Sequence, residues 1–203
     1  MQSHERSVSF CFKTILSGTL LREHHQGKPH KQGRARQNLT RAGLLNRAEI
    51  VLADGLDSVN RPCGCISIMG MGGKTMAGIL RRGADRLQGA VLVLSAHTEL
   101  PVVRQAIMDV GYHIVLETLC HTGGRFYMMW RAEPGCVMMT DDELHHGPLL
   151  WRQPTPLHHE YAAFVLRVTQ EKLRGLRSAA VPDEAAIREA LSDERFYQTI
   201  LEG

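Results

Sequence analysis

Hydrophobic positions along the chain follow two different periods. Short apolar runs at 19–22, 49–53, 65–69 and 90–95 have the length of strands. Stretches at 31–42, 75–82 and 99–110 have the helical period and stop at Gly43, Gly83 and Gly111. Strands and helices therefore take turns. Val91-Leu92-Val93-Leu94 is apolar at every position, which suits a parallel strand covered on both faces, so the pattern predicts a doubly wound α/β core. Two further strands, 112–119 and 125–131, flank His121-Thr122-Gly123-Gly124, a glycine-containing turn that predicts an antiparallel hairpin at the end of the sheet. Residues 135–156 read as a loop-rich connection. After it, 157–176 and 183–201 read as helices on either side of Val181-Pro182, with Tyr161, Phe164, Val165, Val168 and Leu173 packed on the other helix. The predicted organisation is an unassigned segment at 1–17, an α/β domain at 18–156 and a helical extension at 157–203.

Composition excludes several classes. At 203 residues, 43% hydrophobic and 22% charged, the chain is of the ordinary globular kind and long enough to bury a core without disulfides. Its five cysteines are odd in number and share no repeated spacing, and His24-His25, His145-His146 and His158-His159 lack the spacing of zinc ligands, so no metal is expected. No run approaches the ~18 apolar residues of a membrane span, and 8–21 lacks the cleavage pattern of a signal peptide, so the expected place is the cytoplasm and no membrane partner is expected. The net charge of +3 is uneven. Residues 1–50 hold nine Lys/Arg against three Asp/Glu, while the remainder holds fifteen against eighteen. Lys28, Lys31, Arg34 and Arg36 lie in this basic segment and are candidates for phosphate contacts with a nucleic acid, the alternative being a solvated helix face.

Ligands of open α/β sheets bind beyond the carboxyl ends of strands, and two turns occupy such places. In Asp54-Gly55-Leu56 a carboxylate able to accept from an adenine amino group precedes a glycine that permits close backbone approach; a plain turn aspartate is the competing reading. In Met69-Gly70-Met71-Gly72-Gly73-Lys74-Thr75 three glycines lie between a strand and a helix start, where amides are exposed toward a ligand. A phosphate-binding P-loop would need a glycine at the position of Ile68, so nucleotide hydrolysis fails on spacing.

These two turns, with Ile79-Leu80, Gly83, Leu87, the 91–94 strand, Gly124-Arg125-Phe126-Tyr127 and Gly147-Pro148-Leu149-Leu150, resemble the bacterial tRNA (adenine(22)-N1)-methyltransferase family over roughly residues 18–155. The resemblance implies a Rossmann-like class I methyltransferase sheet that binds S-adenosyl-L-methionine, with a C-terminal helical extension that helps hold tRNA. It implies a cofactor site at Glu23 for the ribose hydroxyls, Asp54, Gly55 and Leu56 around the adenine, and Met69 and Gly70 near the methyl donor. Gly70, Met71 and Gly72 fall where the methyl group meets the target base.

The family's opening strand and its Asp-x-Gly-Ser/Thr-Asp-His type loop have no counterpart here, and where the family tends to have Leu-Gln-Pro-Asn this chain has Leu94-Ser95-Ala96-His97. The resemblance therefore implies a sheet without its first strand, a chain shortened at the amino end and weakened cofactor binding. Adenine-N1 methylation of tRNA is the leading expectation. A non-catalytic tRNA-binding remnant of the fold, or a methyltransferase with another substrate, are the alternatives, and the oligomeric state is left open. The enzymatic reading needs the turns at 54–56 and 69–73 to open onto one cleft.

Overall fold

A computed structural model describes residues 14–16, 20–23, 29–51 and 53–203, excepting the side chains of 14–16, 20–23, 29–32, 34 and 35. The chain divides into two compact units, one ending at Leu150 and one beginning at Trp151.

The first unit carries two sheets. One has the order β1-β2-β3, built from β1 (Thr14–Leu16), β2 (Leu20–Glu23) and β3 (Ala48–Ile50), with helix α1 (Pro29–Arg41) between β2 and β3. β2 and β3 are parallel, pairing Leu21 with Ala48 and Glu23 with Ile50. The other has the order β4-β5-β7-β6, from β4 (Cys65–Met71), β5 (Val91–Ala96), β6 (Tyr112–Thr122) and β7 (Arg125–Pro134). β4 and β5 are parallel, and β7 runs antiparallel to both its neighbours. Between them come α2 (Gly73–Arg82), the short α3 (Ala84–Leu87) and α4 (Leu100–Asp109). The alternation of strands and helices expected from the hydrophobic pattern is therefore present, as is the antiparallel final hairpin.

β4 and β5 are buried because helices cover them: Ile66, Leu92 and Leu94 are fully enclosed, as are Met76 and Leu80 of α2 and Val103 and Ile107 of α4. β1 lies beside β4 but runs antiparallel to β2, joined to it through 17–19. Its carboxyl end therefore points away from the edge where β2 and β3 end, and no parallel first strand is present among the described residues.

The loop-rich reading of 135–156 is corrected by α5 (Asp141–His146), whose start is held by a capping box: Thr140 N–H donates to Glu143 Oε2 (2.9 Å) and Glu143 N–H to Thr140 Oγ1 (3.2 Å).

The second unit is a hairpin of α6 (Pro156–Arg177) and α7 (Glu184–Glu202). Ala162, Thr169, Leu173, Ala190 and Tyr197 are buried, and Trp151 packs edge-on to Phe196 and Tyr197. Phe164 and Val168, expected to pack on the other helix, are instead exposed, because the contact stripe runs through Thr169 and Leu173 beside them.

Candidate functional site

The glycine loop is shaped by the end of β4. Pairing with β5 shifts register between Met69, opposite Ser95, and Met71, opposite Ala96, so Gly70 is extruded as a bulge at a φ of 75° that favours glycine. Gly70 is exposed, Met69 half-buried and Met71 buried. The bulge thus presents the backbone at 69–70 to the carboxyl edge of the sheet while Met71 anchors it in the core.

Beyond the bulge the chain enters α2 pressed against residues 98–99, which follow β5. A Cβ on Gly73 would stand 2.5 Å from the carbonyl oxygen of Thr98 and 2.6 Å from that of Glu99, so only glycine fits. Gly73 N–H points at Thr98 Oγ1 (3.4 Å), and Lys74 N–H donates to Glu99 Oε2 (3.0 Å). The other carboxylate oxygen of Glu99 meets Lys74 Nζ at 2.9 Å. That hydrogen bond holds the Glu99 carboxyl below its ordinary range and the Lys74 ammonium above its own. The first amides of α2, which would serve a phosphate, are engaged by the protein's own side chains. Glu99 itself takes a left-handed backbone conformation, φ 54°, unusual for a residue with a side chain.

The turn at 54–56 follows β3. Gly55 (φ 54°) lies over Ile79 of α2, where a Cβ would come within 3.2 Å of its side chain, and Leu56 is buried against Gly83. Leu56 is a packing residue, with little surface left to offer a ligand. Asp54 is more than half exposed and holds Arg82 at 3.6 Å, a loose pair that leaves carboxylate lone pairs open. Glu23 ends β2 directly beside Ile50, at the carboxyl edge of two adjacent parallel strands. Helix α2 is what the two turns share: the glycine loop leads into its start, while Gly55 rests on its second half and Leu56 on Gly83, which caps its end. The direct neighbours of 72–74 are residues 98–99.

Of the basic candidates, Arg36 is exposed on α1, Lys31 and Arg34 belong to the same helix, and Lys28 lies outside the described residues. Thr98 and Glu99 were not singled out by the sequence. The glutamate at the start of a predicted helix was a faint sign, but its reach across to Lys74 is a long-range contact with no local signature. Among the described residues no three His, Cys, Asp or Glu side chains stand together as a metal site, and no helix is long and apolar enough to cross a membrane.

A family model described as tRNA (adenine(22)-N(1))-methyltransferase matches residues 28–194. The chain belongs to this family. The tRNA (adenine(22)-N(1))-methyltransferase of Bacillus subtilis (strain 168) is 26% identical over 139 residues, a match spanning 68% of this chain and 58% of that protein. Among solved structures, the Bacillus subtilis tRNA methyltransferase TrmK superposes with a TM-score of 0.75 at 20% identity, over 89% of this chain and 81% of that one. A Streptococcus pneumoniae protein solved in complex with S-adenosyl-L-methionine gives 0.73 at 22% identity, over 90% and 80%. TrmK of M. capricolum, solved with S-adenosyl-homocysteine, gives 0.68 at 15% identity, over 86% and 77%. At these identities the structural likenesses establish the Rossmann-like fold. The family match itself encloses the 70–73 loop, the 54–56 turn and both C-terminal helices.

Proposed function

We propose that the chain transfers the methyl group of S-adenosyl-L-methionine to N1 of an adenine in tRNA, at position 22 by family, in the cytoplasm. The observation that carries this reading is the family match over 28–194, which takes in a glycine bulge at the carboxyl edge of the sheet.

The positions present fit the adenosine half of the cofactor. Glu23 ends a parallel strand where a carboxylate can accept from ribose hydroxyls, and the loosely paired Asp54 can accept from the adenine amino group. Gly55 lets the backbone approach closely, while Leu56 supports the turn from below. The cofactor supplies a methyl group already activated by sulfonium charge. What remains for the protein is placement, worth ~7–11 kcal/mol when the reacting atoms are held in line. The backbone at Met69 and Gly70, with Met71 and Gly72 fixing the bulge, is the element to hold the adenine edge, because it is exposed on one side and anchored on the other. Adenine N1 attacks through its lone pair, and no general base is needed to create the nucleophile. Unstacking the base from folded tRNA costs a few kcal/mol, which tRNA contacts must offset. Lys28, Lys31, Arg34 and Arg36, together with the helical extension, are assigned to those contacts.

The test is methyl transfer from labelled S-adenosyl-L-methionine to an unmodified tRNA transcript, read by nucleoside mass spectrometry. One-methyladenosine that disappears when adenine 22 is replaced is the expected result. Salt-sensitive tRNA retention without transfer would leave only a binding remnant, and transfer to small molecules alone would assign another substrate. Asp54→Ala is expected to weaken calorimetric binding of the cofactor without altering folding; equal affinity would remove Asp54 from the site.

A further inference from the structure

The hairpin of β6 and β7 is longer than the sheet it closes. β5 ends at Ala96, opposite Met128, while β7 begins at Arg125 and β6 ends opposite it at Thr122. Three rungs therefore project past the carboxyl ends of β4 and β5, an overhang of about 10 Å at ~3.4 Å per residue. It stands on the ligand side of the sheet, and Tyr127 at its base meets His97 edge-on at 6.2 Å, next to the Thr98 and Glu99 that brace the glycine loop. The tip is kept in register by a two-residue turn, Gly123 and Gly124, both at positive φ.

Its chemistry suits a nucleic acid. From 120 to 127 the sequence has one arginine, one histidine and two further aromatic rings and no carboxylate. Across the last rungs His121 and Phe126 are paired, with ring centroids 4.2 Å apart and planes within 10°. His121 is exposed on the edge strand and Phe126 half-buried, so the open face of the stack belongs to the imidazole. Arg125 is exposed one residue along.

We propose that this tip is an RNA-contacting finger: the His121 ring, backed by Phe126, stacks on an unstacked tRNA nucleobase close to the target adenine, and Arg125 holds a neighbouring phosphate. This rests on the tRNA reading above. A stacked pair offering one free face is sequence-tolerant, since every base has a π-face, and a guanidinium beside it adds the salt-dependent part of binding.

The experiment measures tRNA affinity and cofactor affinity separately on the full chain, with an unmodified tRNA transcript and S-adenosyl-L-methionine as probes. His121→Ala is expected to weaken tRNA binding about ten-fold, and His121→Phe to restore it. Arg125→Ala is expected to reduce the slope of log affinity against log salt by about one. Cofactor affinity and melting temperature are expected to stay unchanged in all three. If the unaltered chain binds tRNA and both alanine variants bind it as tightly, the finger is overturned while the methyltransferase reading stands. A loss of tRNA affinity that comes with a lower melting temperature and is not rescued by His121→Phe marks a packing role and overturns it too. An unaltered chain that neither retains nor methylates tRNA overturns both.

Discussion

Two ion pairs in the first unit use the same chemistry in opposite surroundings. Arg104 and Glu117 are enclosed, with side-chain exposures of 1% and 0%, whereas Lys74 and Glu99 are 78% and 34% exposed. The enclosed pair is saturated with partners. Glu117 Oε1 accepts from Arg104 Nε (2.9 Å) and Nη2 (2.8 Å) and from Trp130 Nε1 (2.7 Å), and its Oε2 accepts from Leu149 and Leu150 N–H (3.2 Å each). Arg104 Nη1 donates onward to the carbonyls of Leu144 and His145. A cluster so complete fixes the course of the chain after α5. The exposed pair fastens one loop to another beside the proposed site and leaves its outer side open to solvent. The contrast separates what builds the fold from what sets the geometry of the edge.

The largest expected effect comes from breaking the enclosed pair. Glu117→Ala strands a buried guanidinium and two amides, and is expected to lower stability by about 3–5 kcal/mol in denaturant unfolding. A loss below about 1 kcal/mol would mean that water or a side-chain shift replaces the carboxylate, and the division drawn above would fail.

Gly73→Ala comes next. Its Cβ would collide with backbone oxygens of Thr98 and Glu99 that cannot swing aside, so the 97–99 loop must move. A stability loss of about 1–3 kcal/mol is expected, together with a fall in kcat larger than Glu117→Ala gives at equal folded fraction. Full activity in Gly73→Ala would show that the spacing of these loops is immaterial to catalysis.

Glu99→Gln tests the exposed pair. The amide oxygen can still accept from Lys74 N–H, but the charge that attracts the ammonium is gone. Melting temperature is expected to stay put while tRNA methylation slows. Since Lys74 lowers the Glu99 carboxyl, the brace is present above the ordinary carboxylate value of 4.5 and is lost as pH falls through the lower folded value. A methylation rate unaffected by Glu99→Gln would confine the brace to a solvated surface role.

Some of this was legible beforehand and some was not, for reasons that differ by residue. The 91–94 strand, α2 and the 112–134 hairpin announce themselves through local period and flanking glycines, which is information held within a dozen residues. The Gly147-Pro148-Leu149-Leu150 run carried the family resemblance without its cause. In the structure a Cβ on Gly147 would strike the Glu117 carboxylate, and the Leu149 and Leu150 amides donate to it, so the run wraps a buried anion. That requirement lies thirty residues away in sequence. The family resemblance put Leu56 beside the adenine, yet its contact is Gly83. Helix α5 was missed because six residues give too little period to see, although Thr140 and Glu143 already spelled its cap.

The smallest effect concerns the same capping device in the second unit, built with a titratable group. α6 begins at Thr155, whose N–H and Oγ1 lie 3.1 Å and 2.7 Å from His158 Nδ1. To accept from the backbone, Nδ1 must be unprotonated. Burial lowers the His158 pKa, and the neighbouring His159 lowers it further. The folded state thus prefers neutral imidazole, and the sign follows: the contribution is complete above the ordinary value of 6.5, declines as pH falls and levels off once the depressed folded value is passed. His158→Gln places an amide at the same position that can reach back without titrating. The variant is expected to lose less stability than the parent chain between neutral pH and pH 5, measured by thermal unfolding of the full chain and by amide exchange at Thr155. Equal pH dependence in the two proteins would show that the start of α6 is held by the backbone alone.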